Sequence, residues 1–308
     1  MSSKNKHAVV VGAGTMGGGI AIVFAAGGWR VSVVDPVEKA RSTLLSRMTA
    51  SMNRLGVILD VARVSVFAGL SEVGWDKTDI VVETALEDLS LKQAIFAELE
   101  KLALPGIPLM TNSTGFPITE IAKGLKTQSR MLGAHFLMPA QFVPLVELVP
   151  SDKTEPQLVK DMRDLLRALG KRPVVVNKPL VGFIANRIQS ALMREAISLI
   201  DRGVASAEDV DTAVRFGFGF RYAAAGPIIQ KEHSGWEISY GLYEKVFPDL
   251  CNDATPSPIL DKMMAAGRYG MKTGQGFLKW DDDTKAREIA RYETALRKAL
   301  DILKIEDA

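Results

Sequence analysis

The stretch that most constrains the fold is "HAVVVGAGTMGGGIA", residues 7–21, where a β-branched run breaks into Gly12, Gly14 and Gly17 before an apolar helical pattern begins. A strand that turns sharply into a helix commits the chain to a β-α unit. In the G-x-G-x-x-G order each glycine has its own reason. Gly12 allows the tight turn, Gly14 lets the backbone approach a pyrophosphate, and Gly17 lets helix and strand pack closely. The phosphates would rest on the helix N-terminus, where Thr15 and Met16 open the first turn. Glycine-rich turns are common, so the motif gains weight from "RVSVVDP", a second strand pattern ending in Asp35 at roughly the 20-residue offset a dinucleotide site uses. The Asp35 carboxylate suits ribose hydroxyls and opposes a 2′-phosphate, which points to NAD. Its other reading is a solvated turn residue before Pro36.

Further strand patterns follow at "DIVVET", "PLMTN", "MLGAHF", "LVELV" and "RPVVV", separated by helical patterns such as "DLSLKQAIFAELEKLA" and "EPQLVKDMRDLLRALG". Repeated β-α units over the first 176 residues predict an α/β fold, a doubly wound and mainly parallel sheet. After "NKPLVGF" the pattern becomes helical. "NRIQSALMREAISLIDRG" stops at a glycine, "SAEDVDTAV" starts on a serine cap, and "DDDTKAREIARYETALRKALDILK" closes the chain. The expected domains are 1–178, dinucleotide-binding, and 179–308, helical, for substrate and dimerisation. Two domains suit 308 residues. With 38 basic and 36 acidic residues the net charge is +2, which argues against nucleic acid or an anionic membrane as partner. No apolar run approaches the roughly 20 residues of a membrane span, and a short polar segment leads directly into the first strand pattern, so a cytoplasmic protein is expected. Cys251 is the one cysteine, with no visible base beside it, and no metal site is expected.

Only three histidines occur, and His135 stands in the mostly apolar stretch "GAHFLMPAQFVPLVELV", residues 133–149. A lone histidine on an apolar face is often a core residue satisfied by a carbonyl. Beside a nicotinamide the residue reads differently, because oxidising an alcohol needs a base for the hydroxyl proton and neutral imidazole has a suitable pKa range. Glu147, on the next strand pattern, is the carboxylate that would set its tautomer. An unpaired carboxylate in "PLVELVP" would be costly.

In order along the chain, "GAGTMGGGIA", "ETALEDLSLK", "TNSTGFPIT", "GAHFLMP", "LVELVP", "GFIANR" and "KTGQGFLKW" resemble segments of the L-3-hydroxyacyl-CoA dehydrogenase family. The resemblance implies a Rossmann-type sheet domain followed by an all-helical C-terminal domain, with substrate between them. It implies His135 as catalytic base, Glu147 as its partner and Asn186 as an amide holding the substrate. Asn112, Glu87 and Lys92 are implied as contacts to the nicotinamide and its ribose. Asn186 is also placed to cap the helix it opens, Glu87 and Lys92 to form a solvated face, and Asn112 to turn the chain.

Three departures bear on the substrate. Thr114 of "TNST" stands where acyl-CoA-binding members have serine, which keeps the hydroxyl and adds a methyl. Met138 of "HFLMP" stands where the family has asparagine. Between Asp35 and the "VVET" strand lie fewer than 50 residues, without room for the helical hairpin that helps CoA-using relatives hold the pantetheine arm. With "GFGFRYAAAGP" and "KEHSGWE", the chain looks more like the L-gulonate 3-dehydrogenase (lambda-crystallin), carnitine dehydrogenase and pyridine-carboxylate dehydrogenase branches. Arg221, Lys231 and His233 would supply carboxylate-binding charge, or else lie on the surface or a dimer interface. The expectation is an NAD-dependent oxidoreductase acting on a small hydroxy or oxo acid and dimerising through its helical domain. The alternatives are a short-chain 3-hydroxyacyl-CoA dehydrogenase and a non-catalytic NAD(H)-binding structural or sensor protein.

Overall fold

The computed structural model describes residues 6–54 and 58–303. Its chain divides into two compact units, residues 1–186 and 187–308, with the break inside a helix.

The first unit carries one eight-stranded sheet. Its strands are β1 (His7–Val11), β2 (Arg30–Val34), β3 (Val64–Phe67), β4 (Ile80–Glu83), β5 (Leu109–Thr111), β6 (Met131–Phe136), β7 (Leu145–Val149) and β8 (Arg172–Val175), in the spatial order β3-β2-β1-β4-β5-β6-β7-β8. The helices between them are α1 (Thr15–Ala26), α2 (Glu38–Arg54), α3 (Leu89–Leu102), α4 (Ile118–Ile121) and α5 (Pro156–Ala168). Strands β1 to β6 are parallel; β7 is antiparallel to β6, and β8 follows β7.

Alternation along the strands builds two cores, one on each face. In β1, Ala8 and Val10 enter one apolar cluster with α1, α2 and α5, while Val9 and Val11 enter the other with α3 and α4. In β6 the same parity sends Leu132, Ala134 and Phe136 to the first face. His135 therefore points to the opposite face. Glu147, between Val146 and Leu148 of that first cluster, does so too.

Chain order reverses between β1 and β4, and in open sheets the crevice at such a switch point, outside the carboxyl ends of the strands, is where ligands bind. Gly12, Asp35, Thr84 and Asn112 follow β1, β2, β4 and β5 at that edge, and His135 is the penultimate residue of β6. Strand β3 was not anticipated. It is four residues long, lies at the sheet edge and buries only Val64, so it carries no alternating signal. Between α2 and β3 the described residues form only a short 3-10 turn, Val61–Arg63.

The second unit takes most of α6 (Ala185–Asp201), then α7 (Ala207–Thr212), α8 (Pro227–Ser234), α9 (Trp236–Val246), α10 (Pro258–Ala265) and α11 (Asp282–Leu303). Ser206 caps α7 by accepting from the Asp209 N–H, and Gly203 follows α6 at φ 67°, a stop that glycine tolerates. A π-helical turn, Ala213–Phe218, and a 3-10 turn, Gly219–Ala223, connect α7 to α8. No helix among the described residues is long and apolar enough to cross a membrane.

Candidate active site

The glycine turn is built as a cradle. Gly12 has φ 107°, and a Cβ there would stand 2.7 Å from the Thr84 hydroxyl. A Cβ on Gly17 would stand 1.9 Å from the Gly12 carbonyl, so the third glycine is needed by the turn itself as well as by the helix packed behind it. Gly14 is exposed, and a Cβ on it would meet nothing within 4 Å. The side chain it lacks would occupy open space beside the N-terminus of α1, where a diphosphate is expected. The residues present therefore fit a dinucleotide. Asp35 follows β2 half-buried, with Oδ2 accepting from Ala13 N at 2.7 Å and Oδ1 from Val37 N at 2.8 Å. Each oxygen keeps a lone pair for a ribose hydroxyl.

At the end of β4 lies a polar network whose centre, Glu83, sequence patterns did not mark. Glu83 is 0% exposed and accepts from Lys92 Nζ at 2.8 Å, from Ala85 N at 2.6 Å and from the Thr111 hydroxyl at 2.6 Å. Lys92 is 1% exposed, so it is not on a solvated face. Its ammonium also lies 3.4 Å from Glu87. Glu87 Oε1 accepts from Ser113 Oγ, Thr114 N and Gly115 N and so grips the "TNSTG" loop. Burial alone would raise the Glu87 carboxyl; those bonds and the Lys92 charge outweigh it and hold it below the usual range. Asn112, on the same loop, takes the Phe136 N–H on its side-chain oxygen at 2.8 Å, tying the end of β5 to the residue after His135.

His135 and Glu147 are direct partners across the antiparallel β6–β7 ladder. His135 is 5% exposed and Glu147 0%, and Nδ1 lies 2.7 Å from Glu147 Oε2. The other carboxylate oxygen accepts from Ile184 N at 2.8 Å and Ala185 N at 2.9 Å, at the start of α6, where a helix N-terminus favours negative charge. Phe183 packs against the imidazole, ring centroids 5.5 Å apart, from a left-handed backbone conformation at φ 47°. Such a φ on a buried non-glycine residue is strained and held by its surroundings. Nothing in "VGFIAN" marks it beyond the preceding glycine. Nδ1 is committed to the carboxylate, which leaves Nε2 for proton transfer.

Asn186 follows in the first turn of α6, half-buried. Thr114 is half-buried on the loop that Glu87 grips, and Met138 is 69% exposed just past β6. Arg221, Lys231 and His233 belong to the second unit. Arg221 lies exposed in the 3-10 turn Gly219–Ala223, while Lys231 and His233 lie on α8, with the Lys231 ammonium 5.8 Å from the Tyr243 ring centre. Among the described residues no group of histidine, cysteine or carboxylate side chains could hold a metal.

Models of the 3-hydroxyacyl-CoA dehydrogenase NAD-binding domain and C-terminal domain match residues 7–179 and 182–280. Among its relatives is the 5-formyl-3-hydroxy-2-methylpyridine 4-carboxylate 5-dehydrogenase of Mesorhizobium japonicum, 33% identical, covering 96% of this chain and 98% of the relative. A 3-hydroxyacyl-CoA dehydrogenase of Gibberella moniliformis is 35% identical, covering 97% and 96%. A crystal structure of the pyridine-carboxylate 5-dehydrogenase, described as an NAD+-dependent dismutase, superposes with a TM-score of 0.88 at 31% identity over 97% of this chain and 98% of that one. Fold and relatives together define an NAD-dependent dehydrogenase acting on CH–OH groups. The chain belongs to the 3-hydroxyacyl-CoA dehydrogenase family.

Proposed function

We propose that this dehydrogenase interconverts a small free 3-hydroxy acid and its 3-oxo form, with His135 as general base and Glu147 as the group that orients it. The observation that carries this reading is the bond between Nδ1 and the fully buried Glu147 carboxylate, anchored on its far side by two N–H groups of α6. NAD, when bound, supplies the hydride acceptor. The chain's own work is to take the hydroxyl proton on Nε2 of His135 while Glu147 stabilises the imidazolium that forms. In reverse, Nε2 returns the proton to the oxygen. Thr114 and Asn186 hold the substrate. Asn112, Glu87 and Lys92 serve the nicotinamide end, with the Asn112 NH2 group the part left for a ligand and Lys92 acting through the Glu83 and Glu87 carboxylates it holds.

A free acid is favoured over a thioester by the one α-helix among the described residues between β2 and β3, by the methyl of Thr114, and by the match to a relative named for a pyridine carboxylate. Arg221, assisted by Lys231 and His233, binds the substrate carboxylate. The fungal relative, named a 3-hydroxyacyl-CoA dehydrogenase, favours a short-chain acyl-CoA as second reading. A screen of hydroxy acids and their CoA thioesters by NADH absorbance separates the two. The proposal expects a free acid to lead, with Arg221→Met raising its KM by about tenfold or more, the value of a charge-assisted pair. A kcat/KM for acetoacetyl-CoA that exceeds every free acid a hundredfold would overturn it.

The helical unit serves as the dimer interface. Between residues 187 and 303 the only buried apolar side chains are Ala196 and Met263, while Phe216, Phe220, Ile228, Ile238 and Tyr240 are each more than 60% exposed. An unpartnered apolar surface of this kind is the mark of an interaction site.

A further inference from the structure

Ala13, the variable residue between Gly12 and Gly14, has both backbone polar groups taken by side chains. Its N–H donates to Asp35 Oδ2 at 2.7 Å, and its carbonyl accepts from Arg47 Nη2 at 2.6 Å. Arg47 lies on α2 and is steadied there, Nε on the Thr43 hydroxyl at 3.2 Å and Nη2 on the Ala40 carbonyl at 3.3 Å. The helix is itself anchored, because Leu44 and Met48 are buried in the core that also holds α1.

A trans peptide keeps its C=O and N–H on opposite sides. With the Ala13 N–H on Asp35, the Gly12 carbonyl of the same peptide turns the other way, against Gly17, where the close approach makes glycine obligatory. With the Ala13 carbonyl on Arg47, the N–H of Gly14 in that next peptide turns away from Arg47. Gly14 is the exposed, open position of the cradle.

We infer that Arg47 is a positioning residue for the dinucleotide: by holding the Ala13 carbonyl it aims the Gly14 N–H at the diphosphate, and its guanidinium adds positive charge at that turn. The G-x-G-x-x-G pattern does not specify this residue, and nothing in its local sequence, "LLSRMT", marks it. The role rests on the glycine turn being the NAD site. Neutralising Arg47 as methionine keeps the aliphatic stem and the helix while freeing the carbonyl.

The test is a fluorescence titration of the full chain with NADH, and with ADP-ribose by competition, for wild type and Arg47→Met. Both dissociation constants should rise about tenfold, equivalent to about 1.4 kcal/mol, while the unliganded Tm stays within about 2 °C. A role confined to tying α2 to the turn would lower Tm and leave affinity, measured on folded protein, unchanged. Affinities within twofold of wild type would overturn the inference. Should Arg47→Met fail to fold, Arg47→Gln, too short to reach Ala13, is titrated instead: a tenfold loss of affinity supports the role and a change within twofold overturns it. Failure of wild type itself to bind NADH would refute the cofactor site, and the titration needs no substrate, so the substrate proposal is judged separately.

Discussion

Replacing Glu147 by glutamine tests the site at its most constrained point, because the carboxylate faces donors on both sides. Oε2 faces His135 Nδ1 at 2.7 Å, and Oε1 takes the N–H groups of Ile184 and Ala185. A glutamine has one oxygen and one NH2. If its oxygen keeps the two α6 donors, its NH2 faces Nδ1, which then has to accept; the imidazole proton moves to Nε2 and the base is lost. If its oxygen faces Nδ1–H, the NH2 is driven against two N–H donors in a site that is 0% exposed. Losing one buried bond of this sort costs about 1–3 kcal/mol of stability. The first arrangement satisfies every donor and is therefore the one expected, with stability nearly kept and kcat reduced by roughly two to four powers of ten, as for loss of general acid–base catalysis. Steady-state rates from NADH absorbance and an NADH titration separate the terms, since NADH affinity should be unchanged. His135→Gln should be similarly slow. The double variant should match the slower single variant, because groups that act as a unit are not additive. Two effects that multiply independently would refute the dyad.

Asp35 accepts from Ala13 N, and its proposed role is to meet the ribose as well, so Asp35→Ser should weaken NAD+ binding without creating strong NADP+ use. Wild type should prefer NAD+ by at least about tenfold in kcat/KM, and equal use of both cofactors would refute that role. Lys171, 4% exposed, donates to the Ala140 and Val143 carbonyls of the β6–β7 loop, and burial pushes its ammonium down to about 8. Because the folded-state value lies below that of the unfolded chain, the unfolded chain holds more protons between about pH 8 and 10.5. Wild type should therefore gain stability over Lys171→Met as pH rises through that window, by up to about 3 kcal/mol. A difference between the two urea-unfolding free energies that does not change with pH would show that the lysine is not buried as an ammonium.

How much the sequence could say depended on how local the signal was. The apolar, β-branched run of β1, the glycine where a turn needs φ near 107° at Gly12, and the serine cap at Ser206 arise from sterics and hydrogen bonds within a few residues, so they are visible in a single chain read locally. The pairing of His135 with Glu147 was half visible: chemistry demanded a partner, and the apolar run around Glu147 demanded one too. Their register was a tertiary decision. A slip of one residue would send Glu147 to the other face of the sheet, and it is the antiparallel entry of β7 that sets the two side by side. Strand β3, short and at the edge, had no pattern to read. Lys92 looked like a surface or ligand residue until α3 carried it under the sheet edge onto Glu83, and Phe183 shows no sign in sequence of the strained backbone that lays it on His135. Arg47 reaches Ala13 across 34 positions. Local sterics determined which elements form, whereas which carboxylate, cation or ring meets which partner waited on strand order and helix docking, since distant side chains acquire neighbours only when the sheet is assembled.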